Sequence, residues 1–340
     1  MSADSNFSLT EMGYFLKSSG IIEIKGGEKG AFLQGLFSQD TAKNFAVGQI
    51  LYGIFPDTKG KILSDAFVLY PDPDRFLLIV PAVTFKKSFD HLQKYLILIS
   101  ASIENLSDKY VELSILNEEP APQNVPQRFM DLKRVEPNSC LSLGENQWVY
   151  YFKSSRYEQW GFVLKKENKD LWIKKLDASG ILPYHESEYE AARVELQIPE
   201  YGKDMDENTF PQEAGLEAYL NFKKGCFIGA EVLQRIHYQG HVNRTLASLQ
   251  FEDSAPVLHL ERCDVSADPA ARSAVTISPG TPVIQEGSEV GKITSIAFSK
   301  KLNQTIALAI LKRSALGQEK TFYALEQKCR LLLHPLTKEG

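Results

Sequence analysis

No apolar run in this sequence approaches the roughly 20 residues that a membrane-spanning helix needs, and stretches such as Tyr95-Leu96-Ile97-Leu98-Ile99 stop far short. The opening residues MSADSNFSLTEMGYFL contain acids but no basic segment, so neither a secretory signal nor an Arg-rich transit peptide is read there. A cytoplasmic protein is the expectation. Cysteine is scarce: Cys140, Cys226, Cys263 and Cys329 lie far apart and form no C-x-x-C pair, which argues against a zinc site and against a disulfide scaffold. The six histidines include no H-E-x-x-H. His237 and His241 are spaced i, i+4, but Gly240 between them should end the helix, so no metal is expected. There is no long block of like charge. With 38 Lys and Arg against 43 Asp and Glu, the net charge is -5, and strong direct nucleic-acid binding is not expected. G-x-S-x-G is absent, Gly26-Gly27-Glu28-Lys29-Gly30 lacks dinucleotide spacing, and Ile62 after Gly60-Lys61 rules out a P-loop.

What is present is material for packed cores: 43% hydrophobic and 11% aromatic residues over 340 positions, enough for two or three domains. The periodicity predicts helices over 9–17, 28–37 and 83–96, with strands over 21–24, 50–55, 61–70, 75–80, 101–106 and 110–116. A Pro- and acid-rich stretch at 117–126 reads as a linker. Strands near 148–152 and 161–164 and helices near 169–179 and 187–196 follow, and then an irregular but ordered loop over 198–224, a kind of segment that often carries function. From 243 onward, short β runs separated by turn residues predict an antiparallel barrel. The expected architecture is α+β: a first α+β domain over 1–118, a second over 127–242, and a C-terminal barrel over 243–340.

The segment from Arg193 to Arg235 is the most informative. In Lys223-Lys224-Gly225-Cys226-Phe227-Ile228-Gly229-Ala230-Glu231, a cysteine sits between glycines, after two lysines and before a helical pattern. Lysines and a helix N-terminus stabilise a thiolate, so Cys226 reads as a candidate reactive residue; the competing reading is a small buried packing residue. Arg193 has two readings as well, a carboxylate clamp or a surface ion pair, and Glu231 sits where it would favour the helix dipole.

The pattern Arg193-x-Glu195, Pro199-Glu200-Tyr201-Gly202, Pro211-Gln212-Glu213-Ala214-Gly215-Leu216 and Lys224-Gly225-Cys226-Phe227-Ile228-Gly229-x-Glu231 resembles the YgfZ-type folate-binding proteins, relatives of the glycine-cleavage T-protein (aminomethyltransferase). Phe32-Leu33-Gln34-Gly35, Pro56-x-x-Lys59-Gly60-Lys61-Ile62 and Gly291-Lys292-Ile293-Thr294-Ser295 extend the likeness over most of the chain. The resemblance implies the two α+β modules and the barrel arranged around a central folate-binding channel, with tetrahydrofolate as cofactor. It implies iron-sulfur proteins or their assembly factors as partners, and an indirect link to tRNA modification. By motif, Arg193, Tyr201, Lys224 and Glu231 are candidates to line or buttress the channel, with Cys226 as the redox residue. Asp65 and Glu158 are further alignments, Asp65 in a catalytic place and Glu158 in a folate-binding one.

Two departures stand out. Ala230 replaces a glutamine usual in the motif, and Leu63-Ser64-Asp65 and Val80-Pro81-Ala82 lack an acid and an amide that the T-protein uses to position folate and its donor. Orientation can be worth ~7 kcal/mol or more, so such losses weigh against turnover more than against binding. The first expectation is therefore an accessory protein that binds tetrahydrofolate and supports iron-sulfur cluster assembly or repair. The alternative is a tetrahydrofolate-dependent aminomethyltransferase or demethylase.

Overall fold

The computed structural model describes residues 13–97, 99–118, 135–252, 277–317 and 320–332. Strands β1 (Gly13–Lys17) and β2 (Ser19–Lys25) precede helix α1 (Lys29–Gln34), strands β3 (Ile50–Pro56), β4 (Ile62–Asp72) and β5 (Arg75–Pro81), and helix α2 (Ala82–Tyr95). Next come β6 (Ser102–Asn105), β7 (Tyr110–Glu118), β8 (Ser139–Gly144), β9 (Gln147–Lys153), β10 (Tyr157–Lys165), helix α3 (Lys169–Ala178) and β11 (Leu182–Pro183). Helix α4 (Glu186–Glu195) and helix α5 (Ala230–Gln239) bracket the irregular loop. The last six strands are β12 (Arg244–Phe251), β13 (Pro282–Gln285), β14 (Ser288–Ser299), β15 (Gln304–Lys312), β16 (Thr321–Ala324) and β17 (Gln327–Leu331). The chain divides into two units: residues 1–185, 206–211 and 216–240, and residues 186–205, 212–215 and 241–340.

The first unit contains two sheets, ordered β3-β4-β5-β2-β6 and β11-β1-β7-β10-β9-β8. Strand β4 shows how period-2 alternation serves two faces at once. Ala66 and Val68 join the core under α1 and α2, with Phe32, Leu33 and Leu92, and Ser64 meets Thr84 of α2 at 2.7 Å. Phe67, on the opposite face, lies 5.1 Å by ring centroid from both Tyr150 and Phe152 of the other sheet. That other sheet buries its far face, Tyr151, Trp160 and Phe162, against Trp172 and Leu176 of α3.

The segment expected as a helix over 9–17 is, in its described part, strand β1. Tyr14 to Lys17 pair with β7. A helical pattern this short cannot be told from a strand by spacing alone, and the aromatic pair Tyr14-Phe15 favours the pleated state once a partner edge is available. Most residues of the expected linker at 117–126, and Cys263, lie outside the described residues.

In the second unit β12-β15-β14-β13-β16-β17 close into a barrel, every ladder antiparallel. Its interior is filled by side chains including Phe251, Ile293, Leu311 and Phe322. Helix α4 packs Val194 onto Ala297, Ile306 and Leu308 on the outside. The α+β class and the C-terminal antiparallel barrel are as the sequence led us to expect.

Candidate functional site

Two places in the first unit gather the residues of interest. The first is the face between its two sheets. Asp65, half-buried on β4, accepts a hydrogen bond from Tyr52 Oη on β3 at 3.0 Å. Burial, reinforced by the Asp65 charge, pushes the Tyr52 phenol well above its ordinary pKa, so it remains a proton donor. Around this pair stand Phe67, Phe152 and Tyr219, with centroids 4.8, 5.6 and 4.7 Å from the Tyr52 ring. Deeper in the same unit, Glu112, only 1% exposed, accepts hydrogen bonds from Ser19, Ser114 and Tyr150. Gln159 Nε2 in turn donates to Tyr150 Oη at 2.8 Å and to Ser114 Oγ at 3.3 Å.

Strand alternation puts Glu158 on the opposite face of β10 from Gln159. Glu158 is 5% exposed and accepts from Lys153 Nζ at 3.1 Å. Asp65 and Glu158 are thus not brought to one face. Tyr52, Tyr150 and Gln159 went unmarked in the sequence because none stands in a recognisable motif. Alternation along β3, β9 and β10 was the available signal.

The second place is built by the cysteine segment. Gly229 caps the start of α5 with φ 75°, and a Cβ there would lie 2.4 Å from the Asp57 carbonyl oxygen and 3.0 Å from Gly60 Cα. Only glycine meets both conditions. Asp57 also organises its own turn, its Oδ1 accepting from the backbone N–H groups of Lys59 and Lys61, both at 2.8 Å. Ile228 N–H donates to the Gly35 carbonyl at 3.0 Å, and Gln34 Nε2 donates to the Lys224 carbonyl at 3.0 Å. Three short motifs far apart in sequence, around Gln34, Gly60 and Cys226, therefore meet through their backbones.

Cys226 is exposed, whereas Cys140 and Cys329 are buried. Lys224, half-buried, donates from Nζ to the Gln34 carbonyl and lies 5.1 Å from the Phe227 ring centroid. Burial lowers its amine to about 8, with Asp40 acting weakly in the other direction. The Glu231 side chain is 89% exposed in the first turn of α5, 3.4 Å from Arg235. His237, on the same helix, is held by Glu217 at 2.7 Å. Helix α5 ends at Gly240, and no metal-holding group of His, Cys, Asp and Glu occurs among the described residues.

Arg193 and Tyr201 belong to the second unit. Arg193 is 0% exposed, and Nη1 donates to Asp204 at 2.6 Å and to the Ile198 carbonyl at 3.2 Å. Nε donates to Glu190 at 2.9 Å, and Nη2 to Glu190 and to Ser295 Oγ. Burial would lower the guanidinium, but Asp204, Glu190 and Glu200 together hold it above its ordinary value. Tyr201 is buried and bridges to Met205 beside the Gly202 turn.

Residues 9–119 match the GCVT N-terminal domain, and residues 262–331 match the glycine cleavage T-protein C-terminal barrel domain. The chain carries both of these T-protein domains. An aminomethyltransferase from Thermoanaerobacter sp. (strain X514) is 25% identical over 321 residues, covering 88% of this chain and 78% of that protein. One from Desulfitobacterium hafniense (strain Y51) is 27% identical over 312 residues, covering 86% of this chain and 76% of that protein. The glycine cleavage system aminomethyltransferase T from Bartonella henselae superposes with TM-score 0.78 at 18% identity, covering 96% of this chain and 85% of its own. The T-protein-like fold is thus shared over nearly the whole sequence. No helix among the described residues is long and apolar enough to cross a membrane.

Proposed function

We propose that this T-protein-like chain is a tetrahydrofolate-binding accessory protein of the YgfZ type, supporting iron-sulfur proteins or their assembly factors with Cys226 as its reactive group. The observation that carries the reading is the anchored yet exposed Cys226 segment, in which every short motif of the resemblance that contacts it, around Gln34 and Gly60, serves to hold it in place. A cytoplasmic setting and an indirect effect on tRNA modification go with this reading.

The residues between the sheets have the chemistry a pterin needs: a half-buried carboxylate, Asp65, beside the packed rings of Tyr52, Phe67, Phe152 and Tyr219. When bound, tetrahydrofolate supplies a carrier for one-carbon units. Asp65 would serve as the acceptor for the cofactor's N–H groups, its carboxylate oriented by the hydrogen bond from the Tyr52 hydroxyl. The surrounding rings exclude water and so strengthen that hydrogen bond. Arg193 and Tyr201 act as buttresses of their own loop, Lys224 acts within the cysteine segment, and Glu231 stands in solvent beside Arg235. Glu158 acts through its pair with Lys153.

Titration calorimetry with tetrahydrofolate tests the folate site. Wild type should bind, and Asp65→Asn should weaken binding roughly tenfold or more, as expected for loss of a hydrogen bond to a charged group. Absence of binding by the wild type would remove folate from the proposal. Complementation of a deletion strain with Cys226→Ala tests the thiol; full recovery of cluster-dependent enzyme activity would reject its role. Aminomethyl transfer is the second reading, favoured by retention of Asp65 and by the aminomethyltransferases that resemble the chain. Formation of methylene-tetrahydrofolate from an aminomethylated lipoyl carrier would establish it.

A further inference from the structure

Resting on the reading of Cys226 as the reactive group, we infer that Gln34 is the positioning residue of the cysteine segment, a bidirectional latch that presents the thiol on a fixed tip. Its side-chain amide spans two partners of opposite kind. Gln34 Oε1 accepts from the Thr41 backbone N–H at 2.8 Å and lies 3.3 Å from Thr41 Oγ1. Gln34 Nε2 donates to the Lys224 carbonyl at 3.0 Å. A backbone N–H can only donate and a backbone carbonyl can only accept, so the amide has one orientation. The backbone of Gln34 adds a third tie, because its own carbonyl accepts from Lys224 Nζ.

The turn beside the latch is closed by its own hydrogen bonds. Asp40 Oδ1 accepts from the N–H groups of Ala42 and Lys43 at 3.2 and 3.1 Å, and Oδ2 from Asn44 Nδ2 at 2.8 Å. These bonds, together with one from the Gln34 side chain itself, outweigh burial and keep the Asp40 carboxyl below its ordinary value. On the far side of the cysteine, Ile228 is tied to the Gly35 carbonyl and Gly229 is pressed against the Asp57 turn. Between the two anchors only Gly225, Cys226 and Phe227 are left. Gly225 and Cys226 are exposed, Gly225 has φ 101°, and a Cβ there would meet open space. A thiol that reacts with another macromolecule gains from such fixing, since a displacement of about 1 Å can cost ~100-fold in rate. A glutamine meets this need and a glutamate does not: glutamate keeps the shape but loses the donor to the Lys224 carbonyl.

The test uses the full chain in a Cys263→Ser background, with Cys226 alkylated by a trifluoromethyl ketone and read by fluorine NMR. In the otherwise native protein the tag should give one resonance whose width does not depend on pH. At neutral pH Gln34→Ala and Gln34→Glu should both broaden or split it. Position 34 faces the Asp40 carboxylate, which disfavours a second negative charge, and the Lys224 amine, which favours it; acidifying toward roughly pH 4, where a glutamate regains a proton to donate, should sharpen the signal for Gln34→Glu alone. A merely structural role would not produce that selective recovery. In the deletion strain, either variant should support cluster-dependent activity at least about tenfold less well than wild type. If Gln34→Ala does not fold, the isosteric Gln34→Glu carries both measurements. Wild-type spectra and wild-type complementation from the Gln34 variants would overturn the latch. If Cys226→Ala also complements fully, the failure belongs to the proposed function and not to the latch.

Discussion

At the scale of single residues, burial separates the cysteines more sharply than sequence context does. Cys140 and Cys329 are buried and their thiols are pushed up to about 12, while Cys226 stands in solvent. Iodoacetamide near pH 8 should therefore label Cys226 in the native protein and leave Cys140 and Cys329 unmodified until denaturant is added, as site-resolved mass spectrometry would report. Lys224 bears an opposite penalty. Its charged form is disfavoured by burial, so between about 8 and its ordinary 10.5 the unfolded chain holds a proton that the folded chain has released. Stability then gains from this residue as pH rises through that window. Lys224→Met should be more stable relative to wild type at pH 7 than at pH 10, and the advantage should shrink as pH climbs, measured by chemical denaturation at each pH.

At the scale of elements, the junction between the Asp57 turn and α5 depends on one missing side chain. Gly229→Ala places a methyl on a backbone carbonyl and a residue in a left-handed conformation, and should destabilise the first unit by about 2 kcal/mol or more. Gly225→Ala also puts a side chain at positive φ, 101°, but meets no atoms, so its cost is backbone strain alone, about 1–3 kcal/mol, with no added clash. Denaturant titrations of the two variants check the contrast. Most element positions were legible because their patterns are long: the alternation of β4 and β5 and the amphipathic α2 lie within a few residues of where periodicity puts them, and the barrel occupies the β-rich stretch beyond 243. The sequence pattern of β1 is helix-like although the segment is a strand, and β8 and β11 carry no distinct signal. Each is short and takes its state from a neighbouring strand rather than from its own residues.

At the scale of the whole molecule, the second unit is tied internally by a charge cluster centred on Arg193. Asp204, with a fully buried side chain, accepts from Arg193 Nη1, Ser295 and Thr294. Removing the guanidinium leaves that buried carboxylate hydrogen-bonded but without the countercharge paired to it, so Arg193→Met should lower the stability of the barrel unit by about 3–5 kcal/mol, and Arg193→Met with Asp204→Leu should recover part of the loss. The same cluster sets an acid limit. Although burial works to raise it, Glu190 is held below its ordinary 4.5 by Arg193 and Lys203. Its contribution is present above that value and is lost as pH falls through the lower folded one, a dependence that should be blunted in Arg193→Met. Thermal unfolding followed from pH 6 to pH 3 measures both effects.

The sequence alone determined the α+β class, the C-terminal barrel and the prominence of the Lys224 to Glu231 motif, because periodicity and glycine placement are local properties that survive without a partner. Tertiary structure decided which distant groups share a hydrogen bond. Gln34 meets Lys224 across 190 positions, and Arg193 meets Ser295 across 102. It also decided that Cys226 is open to solvent and that β1 is a strand. Such outcomes depend on which surfaces the folded chain covers, and no local pattern encodes the desolvation and pairing that follow from contacts so far apart.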